Sequence, residues 1–288
     1  MHPDESTILL FRPSCFLWIF VLLFSLNMYG WDAAGVNSVL IFELNPRDRL
    51  NFWHMLSIAS VLCLMWSICL LGYVLLGVTE LITYPMPIYI FPLALNLLVF
   101  TIFIVRNPFG SFNSTRVWLQ QVFLREIMAG FVPVTFVDFW LADQFNSLVA
   151  VFLDVEFFIC FLASHNSLYY ESNEENDTIV STGDDWKCGS YWYGLRYFVA
   201  CYPAYIRFAQ CIRRYIDSGE YTHLYNATKY STSFLKYAMY AIYEQNQSPL
   251  VITFWWISNI SASTFTLYWD LVHDWGFLNE NSKNFMVS

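Results

Sequence analysis

The chain has 288 residues, of which 57% are hydrophobic, 20% aromatic and only 13% charged, about half the charged fraction of an ordinary soluble domain. With a mean hydropathy of +0.43 and apolar runs of about 18 residues or more, the length that crosses hydrocarbon, a soluble globular domain is excluded. The net charge of −9 excludes nucleic acid as a partner, because phosphate backbones are bound by basic surfaces. The composition predicts an all-α polytopic membrane protein whose main partner is the lipid bilayer. About seven transmembrane helices and one interfacial amphipathic helix are expected, in a single membrane domain over residues 1–288.

In chain order, the first span runs over roughly 13–31. Asp4, Glu5 and a single Arg12 precede it and no small-residue cleavage site follows, so it reads as a retained helix rather than a signal peptide. Spans over roughly 53–77 and 84–105 follow. The stretch Val117 to Ala142 is apolar but interrupted by Arg125, Glu126, Pro133 and Asp138. That pattern suits a helix lying in the interface better than one crossing it. Further spans are expected at roughly 146–164, 193–214, 231–247 and 250–273.

Loop charges orient this scheme. One set of loops carries Arg47, Arg49, Arg106, Arg116, Arg125, Arg213, Arg214, Lys229 and Lys283, and the other only Arg12 and Lys187. Short loops rich in Lys and Arg stay cytoplasmic, which predicts the N-terminus outside and the C-terminus in the cytoplasm. The loop 165–192 then faces outward with Glu171, Glu174, Glu175, Asp177, Asp184 and Asp185. Asn176 and Asn246 fall in glycosylation sequons on that side, while the sequons at Asn113 and Asn226 would be cytoplasmic and silent. Seven cysteines form no CxxC pair or His-spaced cluster, so neither a zinc site nor a disulfide framework is indicated. No cofactor motif is present. The tryptophans Trp255, Trp256, Trp269 and Trp275 read as interface belts and packing.

Ionisable residues at membrane depth are the functional candidates, because each is costly unless paired or hydrated. In the fifth span, Arg196, Arg207 and Arg214 are spaced by 11 and 18 residues from the first, close to whole helical turns, so they share one face of a continuous helix. Pro203 lies between the first two, and carbonyls freed beside a proline kink line cavities in transporters. Arg213 and Arg214 also suit positive-inside anchors, with Arg196 snorkelling outward and Arg207 alone lying deep. Counter-charges are at hand. Asp143 and Asp154 are 11 residues apart on one expected helical face with Asn146 between them, and Asp270 and Asp274 sit at i and i+4 near the end of the last span. These acids either neutralise the arginines when a pathway is empty or form permanent structural pairs; charge pattern alone fits both. Lys229 and Tyr230 fall in a short connection, HLYNATKYST, where a lysine is ordinarily solvated. Asp270, His273 and Asp274 supply too few ligands on one turn for a metal site, and no catalytic triad assembles by spacing.

Five strings carry a resemblance: GVNSVLIFELNPR (35–47), DFWLADQFNSL (138–148), YPAYIRFAQCIRRY (202–215), LYNATKYST (224–232) and TLYWDLVHDWG (266–276). They resemble the EXS domain of eukaryotic phosphate exporters, most clearly over 35–278 and in the same order. The resemblance implies a transporter rather than an enzyme, exporting inorganic phosphate through an Arg-lined pathway at the plasma membrane or an endomembrane such as the Golgi. The matching phosphate-coordinating and counter-charge or gating positions are Asp143, Asn146, Arg196, Arg207, Lys229, Tyr230, Asp270 and Asp274. Family members of this type also carry a cytosolic SPX domain and an earlier transmembrane helix. After the equivalent of Phe277 they continue into two more helices. Measured against them the chain is expected to be a partial EXS domain, without SPX or the last helices and inactive if truncated. The alternatives are a non-conducting regulatory isoform, assembled as a homodimer or with a full-length member, and a cell-surface receptor.

Overall fold

The computed structural model describes residues 5–44, 46, 49–78, 90–104, 113–165 and 195–277. Most of the loop 165–192, with Asn176 and Lys187, lies outside them, as do Arg47, Arg106 and Lys283. Every regular element among the described residues is helical. The elements are α1 (Glu5–Ala33), the short α2 (Ser38–Ile41), α3 (Phe52–Val78), α4 (Ile90–Ile104), α5 (Asn113–Ile127), α6 (Phe136–Ser147), α7 (Val149–His165), α8 (Leu195–Ser218), α9 (Tyr221–Gln245) and α10 (Pro249–Trp269). A π-helical segment, Asp270–Asp274, continues α10.

Among the described residues three helices are long and apolar enough to cross a membrane, within Ile8–Ala33, Phe52–Leu76 and Pro249–Asp274, and α6 with α7 supplies a fourth crossing if the pair is one broken span. Many large apolar side chains face outward. Ala59, Ser25, Ser258 and Ala262 are buried, while Leu64, Ile68, Leu71, Phe254, Ile257 and Ile260 on the same helices are exposed. Large apolar side chains facing outward are what a hydrocarbon solvent permits. The chain is thus an all-α integral membrane protein.

The stretch expected to be one interfacial helix is two helices. Gly130 ends α5 in the left-handed region at φ +88°, which a Cβ disfavours. Thr135 then opens α6 with a capping box, its N–H and Oγ1 both donating to Asp138 Oδ2 at 2.8 and 2.9 Å. Asp138, which looked like an interruption, is therefore a helix-start signal. A second break at Leu148, whose N–H donates to Phe145 O at 3.0 Å, separates α6 from α7. Asp143 and Asp154 consequently do not share one continuous helical face. The sixth span also begins earlier than expected. Gly219, at φ +75°, closes α8, and α9 starts at once, so that HLYNATKYST is helix and not connection.

Two compact units are distinguishable, Met1–Phe123 with Ala150–Ser190, and Leu124–Val149 with Tyr191–Ser288. In the first, α1 packs on α3 and α4 around Phe11, Val21, Ala59, Leu62, Leu95 and Val99. Pro13 lies inside α1. Beside it the carbonyls of Leu10 and Phe11 receive side-chain donors, Asn96 Nδ2 at 2.8 Å and Trp66 Nε1 at 3.2 Å, which tie this turn of α1 to α4 and α3. Arg12 and Asp154 form a bidentate ion pair in this unit. Cys160, packed with Leu10 and Phe157, is disulfide-bonded, contrary to the spacing argument. Sequence spacing reads metal motifs, whereas a lone bridge depends on tertiary proximity. In the second unit α9 packs on both α8 and α10, and α6 lies against α8.

Candidate functional site

The site is built in the second unit around α8. Its helix passes Pro203 without a break, so the predicted arginine face exists. Arg207 and Arg214 both lie over the Phe139 ring of α6, each with Cζ 5.4 Å from the centroid. Arg213 points elsewhere, its Nε donating to Asp217 at 2.9 Å and its Nη1 to the Phe131 carbonyl at 3.3 Å. Arg196 stands at the N-terminal end of the helix, half-buried, next to the hydrogen bond from Tyr197 Oη to Glu244.

Arg207 is the buried centre. Its Nε lies 2.7 Å from Asp143 Oδ1 and donates to the Tyr230 hydroxyl at 3.0 Å, while that hydroxyl donates to the same Asp143 oxygen at 2.8 Å. Nη1 donates to Gln210 Oε1 at 2.9 Å, and Gln210 Nε2 donates to Glu126 Oε2 at 2.8 Å. The guanidinium also lies 5.0 Å from the Tyr230 ring centroid, a cation–π position. A five-residue polar chain, Glu126, Gln210, Arg207, Tyr230 and Asp143, therefore runs from the end of α5 across α8 to α9 and α6.

Beside Tyr230, Lys229 forms a second centre. It is 5% exposed, buried by its place on α9 rather than solvated in a loop. Its Nζ donates to Asp270 Oδ1 at 3.1 Å, lies 3.9 Å from Asp274 Oδ2, and sits 4.8 Å from the Tyr230 ring and 5.9 Å from that of Trp269. Both acids reach one ammonium because the π-helical turn carries them. Its closing bond, Trp275 N–H to Asp270 O at 2.9 Å, spans five residues. Such turns mark functional sites often enough to be noted. Trp269, 5% exposed, is no interface belt: its Nε1 donates to Asp274 Oδ1 at 3.2 Å and its ring stacks on His273 at 4.3 Å.

The two centres share an asymmetry. The cations are buried, with side-chain exposures of 7% for Arg207 and 6% for Lys229, whereas their acids Asp143, Asp270 and Asp274 are 44%, 39% and 51% exposed. Two other pairs show the reverse, with Asp154 and Asp138 buried and their partners Arg12 and Arg125 about a third exposed. In those the arginine covers a buried acid. Around Arg207 and Lys229 a partly exposed carboxylate covers a buried cation.

Of the expected site residues, Asp143, Arg207, Lys229, Tyr230, Asp270 and Asp274 come together, with Arg214 joined through Phe139. Asn146 is one turn from Asp143 and its Nδ2 donates to Ala142 O at 3.1 Å. Asp154 is engaged with Arg12, and Asn246 is exposed at the C-cap of α9. Sequence reading missed Gln210, Phe139, Trp269 and Glu126 as participants. Only Gln210 carried a signal, being at i+3 from Arg207. Near the cytoplasmic end expected for α8, His223 is held below its ordinary pKa by burial and by Arg214.

A model of the EXS family matches residues 7–287. "Solute carrier family 53 member 1" of Mus musculus is 40% identical over 282 residues, covering 95% of this chain and 39% of the relative. The Homo sapiens protein of that name is 39% identical over 282 residues with the same coverage. "Xenotropic and polytropic retrovirus receptor 1 homolog" of Danio rerio is 40% identical over 284 residues, covering 95% of this chain and 38% of that relative. The chain thus spans about two-fifths of the length of these relatives. With nearly its whole length matched, and with the buried charge clusters carried on the matched segments, the chain belongs to the EXS family.

Proposed function

We propose that this chain forms the membrane part of an anion transporter and that its cargo is inorganic phosphate. The observation that carries this reading is the burial of Arg207 and Lys229 behind half-exposed aspartates. A guanidinium offers phosphate a planar donor fork and an ammonium offers a compact charge. An arginine left unpaired in a low-dielectric site costs about 3–5 kcal/mol, so an entering phosphate exchanges with Asp143 instead of joining it. Tyr230 follows the exchange, because its hydroxyl bridges Arg207 and Asp143 and its ring also faces Lys229. Asp270 and Asp274 do the same for Lys229. Moderate occupancy at successive cations permits release as well as capture.

The direction is outward from the cytoplasm. Arg213 and Arg214 collect the anion near the inner end, Arg207 and Lys229 hold it at depth, and Arg196 receives it near the outer end. The loop-charge bias supports an outside N-terminus. The disulfide at Cys160 supports it too, since α7 leads into the predicted outer loop and disulfides persist on the oxidising side. That relatives are named as solute carriers agrees with a carried solute. Efflux from liposomes loaded with labelled phosphate tests the proposal: Arg207→Ala is expected to abolish it, and unchanged efflux sinks the pathway.

A further inference from the structure

Glu126 is a buried acid that the transport reading does not use. It sits at the end of α5, a helix too polar to count among the crossing spans, and is 2% exposed. Oε2 accepts from Gln210 Nε2 at 2.8 Å, and Oε1 is buried with no hydrogen-bond partner among the described residues. The charged groups within its reach are Arg125 on its own helix, Asp138 and Asp143 on α6, and Arg207 on α8; the Tyr202 phenol of α8 is also near. Both cations are already matched, Arg125 with Asp138 at 2.7 Å and Arg207 with Asp143 at 2.7 Å. A third carboxylate has no cation of its own, and ionising it would leave a buried negative charge with one oxygen unbonded.

We propose that the Glu126 carboxyl is a proton-binding site, occupied at neutral pH and coupled through Gln210 to the Arg207 anion site. Burial first, and the Asp138 charge second, push its pKa up to about 8 against the opposing pull of Arg207 and Arg125. With the proton on, Arg207 faces only Asp143 as a counter-charge, and an arriving anion meets the full attraction of the guanidinium. With the proton off, a second carboxylate lies two hydrogen bonds from the guanidinium through Gln210 and weakens that attraction. Proton and anion therefore bind cooperatively, and by reciprocity a bound anion tightens the hold on the proton. The coupling rests on the anion reading above; the proton site does not.

The test is infrared difference spectroscopy of the full chain in lipid nanodiscs, titrated with and without sulfate, whose charge is constant over the range. A protonated-carboxyl C=O band is expected at neutral pH, lost as pH rises through about 8, absent from Glu126→Gln and shifted in frequency by Gln210→Leu. Absence of such a band overturns the proton site. So does a band unaltered in both variants, and the milder Gln210→Leu and Glu126→Asp serve if Glu126→Gln fails to fold. Sulfate is expected to raise the midpoint of the titration. A midpoint unmoved in protein that binds sulfate overturns the coupling. Protein that binds neither sulfate nor phosphate, yet loses the band in Glu126→Gln, refutes the anion reading and the coupling while the proton site stands.

Discussion

Replacing Asp143 by asparagine keeps its shape and removes its charge, leaving Arg207 with only the neutral acceptors Tyr230 and Gln210. At the observed 2.7 Å the gross attraction is about 6 kcal/mol for an effective dielectric of about 20. The net loss is smaller. A fully buried broken pair costs about 3–5 kcal/mol and an exposed one about 0–1 kcal/mol. With a buried cation and an acid 44% exposed, the estimate is about 2 kcal/mol, which for a chain of this size lowers an apparent Tm by roughly 4–8 °C. The assay is thermal unfolding of purified protein in nanodiscs, with and without inorganic phosphate. Phosphate occupying the vacated position should restore the loss, through the ordinary stabilisation of a folded state by its ligand. It should therefore raise the Tm of Asp143→Asn more than that of the wild type, and should raise neither in an Arg207→Met background. If phosphate stabilises Asp143→Asn no more than the wild type, Asp143 is not a counter-ion that cargo displaces, and the exchange scheme is refuted.

Arg12→Ala should lower thermal stability by about 2–3 kcal/mol, between the values for exposed and fully buried pairs because Arg12 is 37% exposed, while leaving phosphate binding by the second unit unchanged in a direct binding assay. Gly130→Ala should cost about 1–2 kcal/mol, because alanine is strained at φ +88° and its Cβ would sit 3.4 Å from Ala209 Cβ; a thermal melt reads it. Stability should also depend on pH through Glu126. Its pKa is raised on folding from the ordinary 4.5 to about 8, so the folded state binds the proton more tightly than the unfolded one. That contribution is complete below pH 4.5 and is lost as pH rises to about 8. Glu126→Gln should flatten the dependence in melts taken across that window.

Much of the molecule was legible along the chain. Composition and run length set the membrane as solvent, because about 18–20 apolar residues must be covered by hydrocarbon whatever they pack against. The arginine face of α8 followed from helical period, and Arg207 and Arg214 do meet on one ring, since neighbours within a helix are fixed by 3.6 residues per turn. Where helices break was less accessible. Gly130 and Thr135 divide the stretch 117–142 that hydropathy alone reads as one interfacial helix, and the separate break at Leu148 takes Asp154 off the face of Asp143. Lys229 shows the same limit from the other side: the polar string around it suggests a loop, yet it continues a helix whose inner face is covered by α8 and α10.

What the sequence by itself determined about this protein was its solvent, its helical content and the arginine face of α8. Which acid answers which base was decided only by the tertiary structure. Asp143 serves Arg207, Asp154 serves Arg12, and a π-helical turn brings Asp270 and Asp274 to the same lysine. The reason is that pairing across helices depends on packing and on helix breaks, neither of which has a period. The exposure of each partner, which separates an exchangeable counter-ion from a structural one, is likewise a property of the packed unit and of no residue alone.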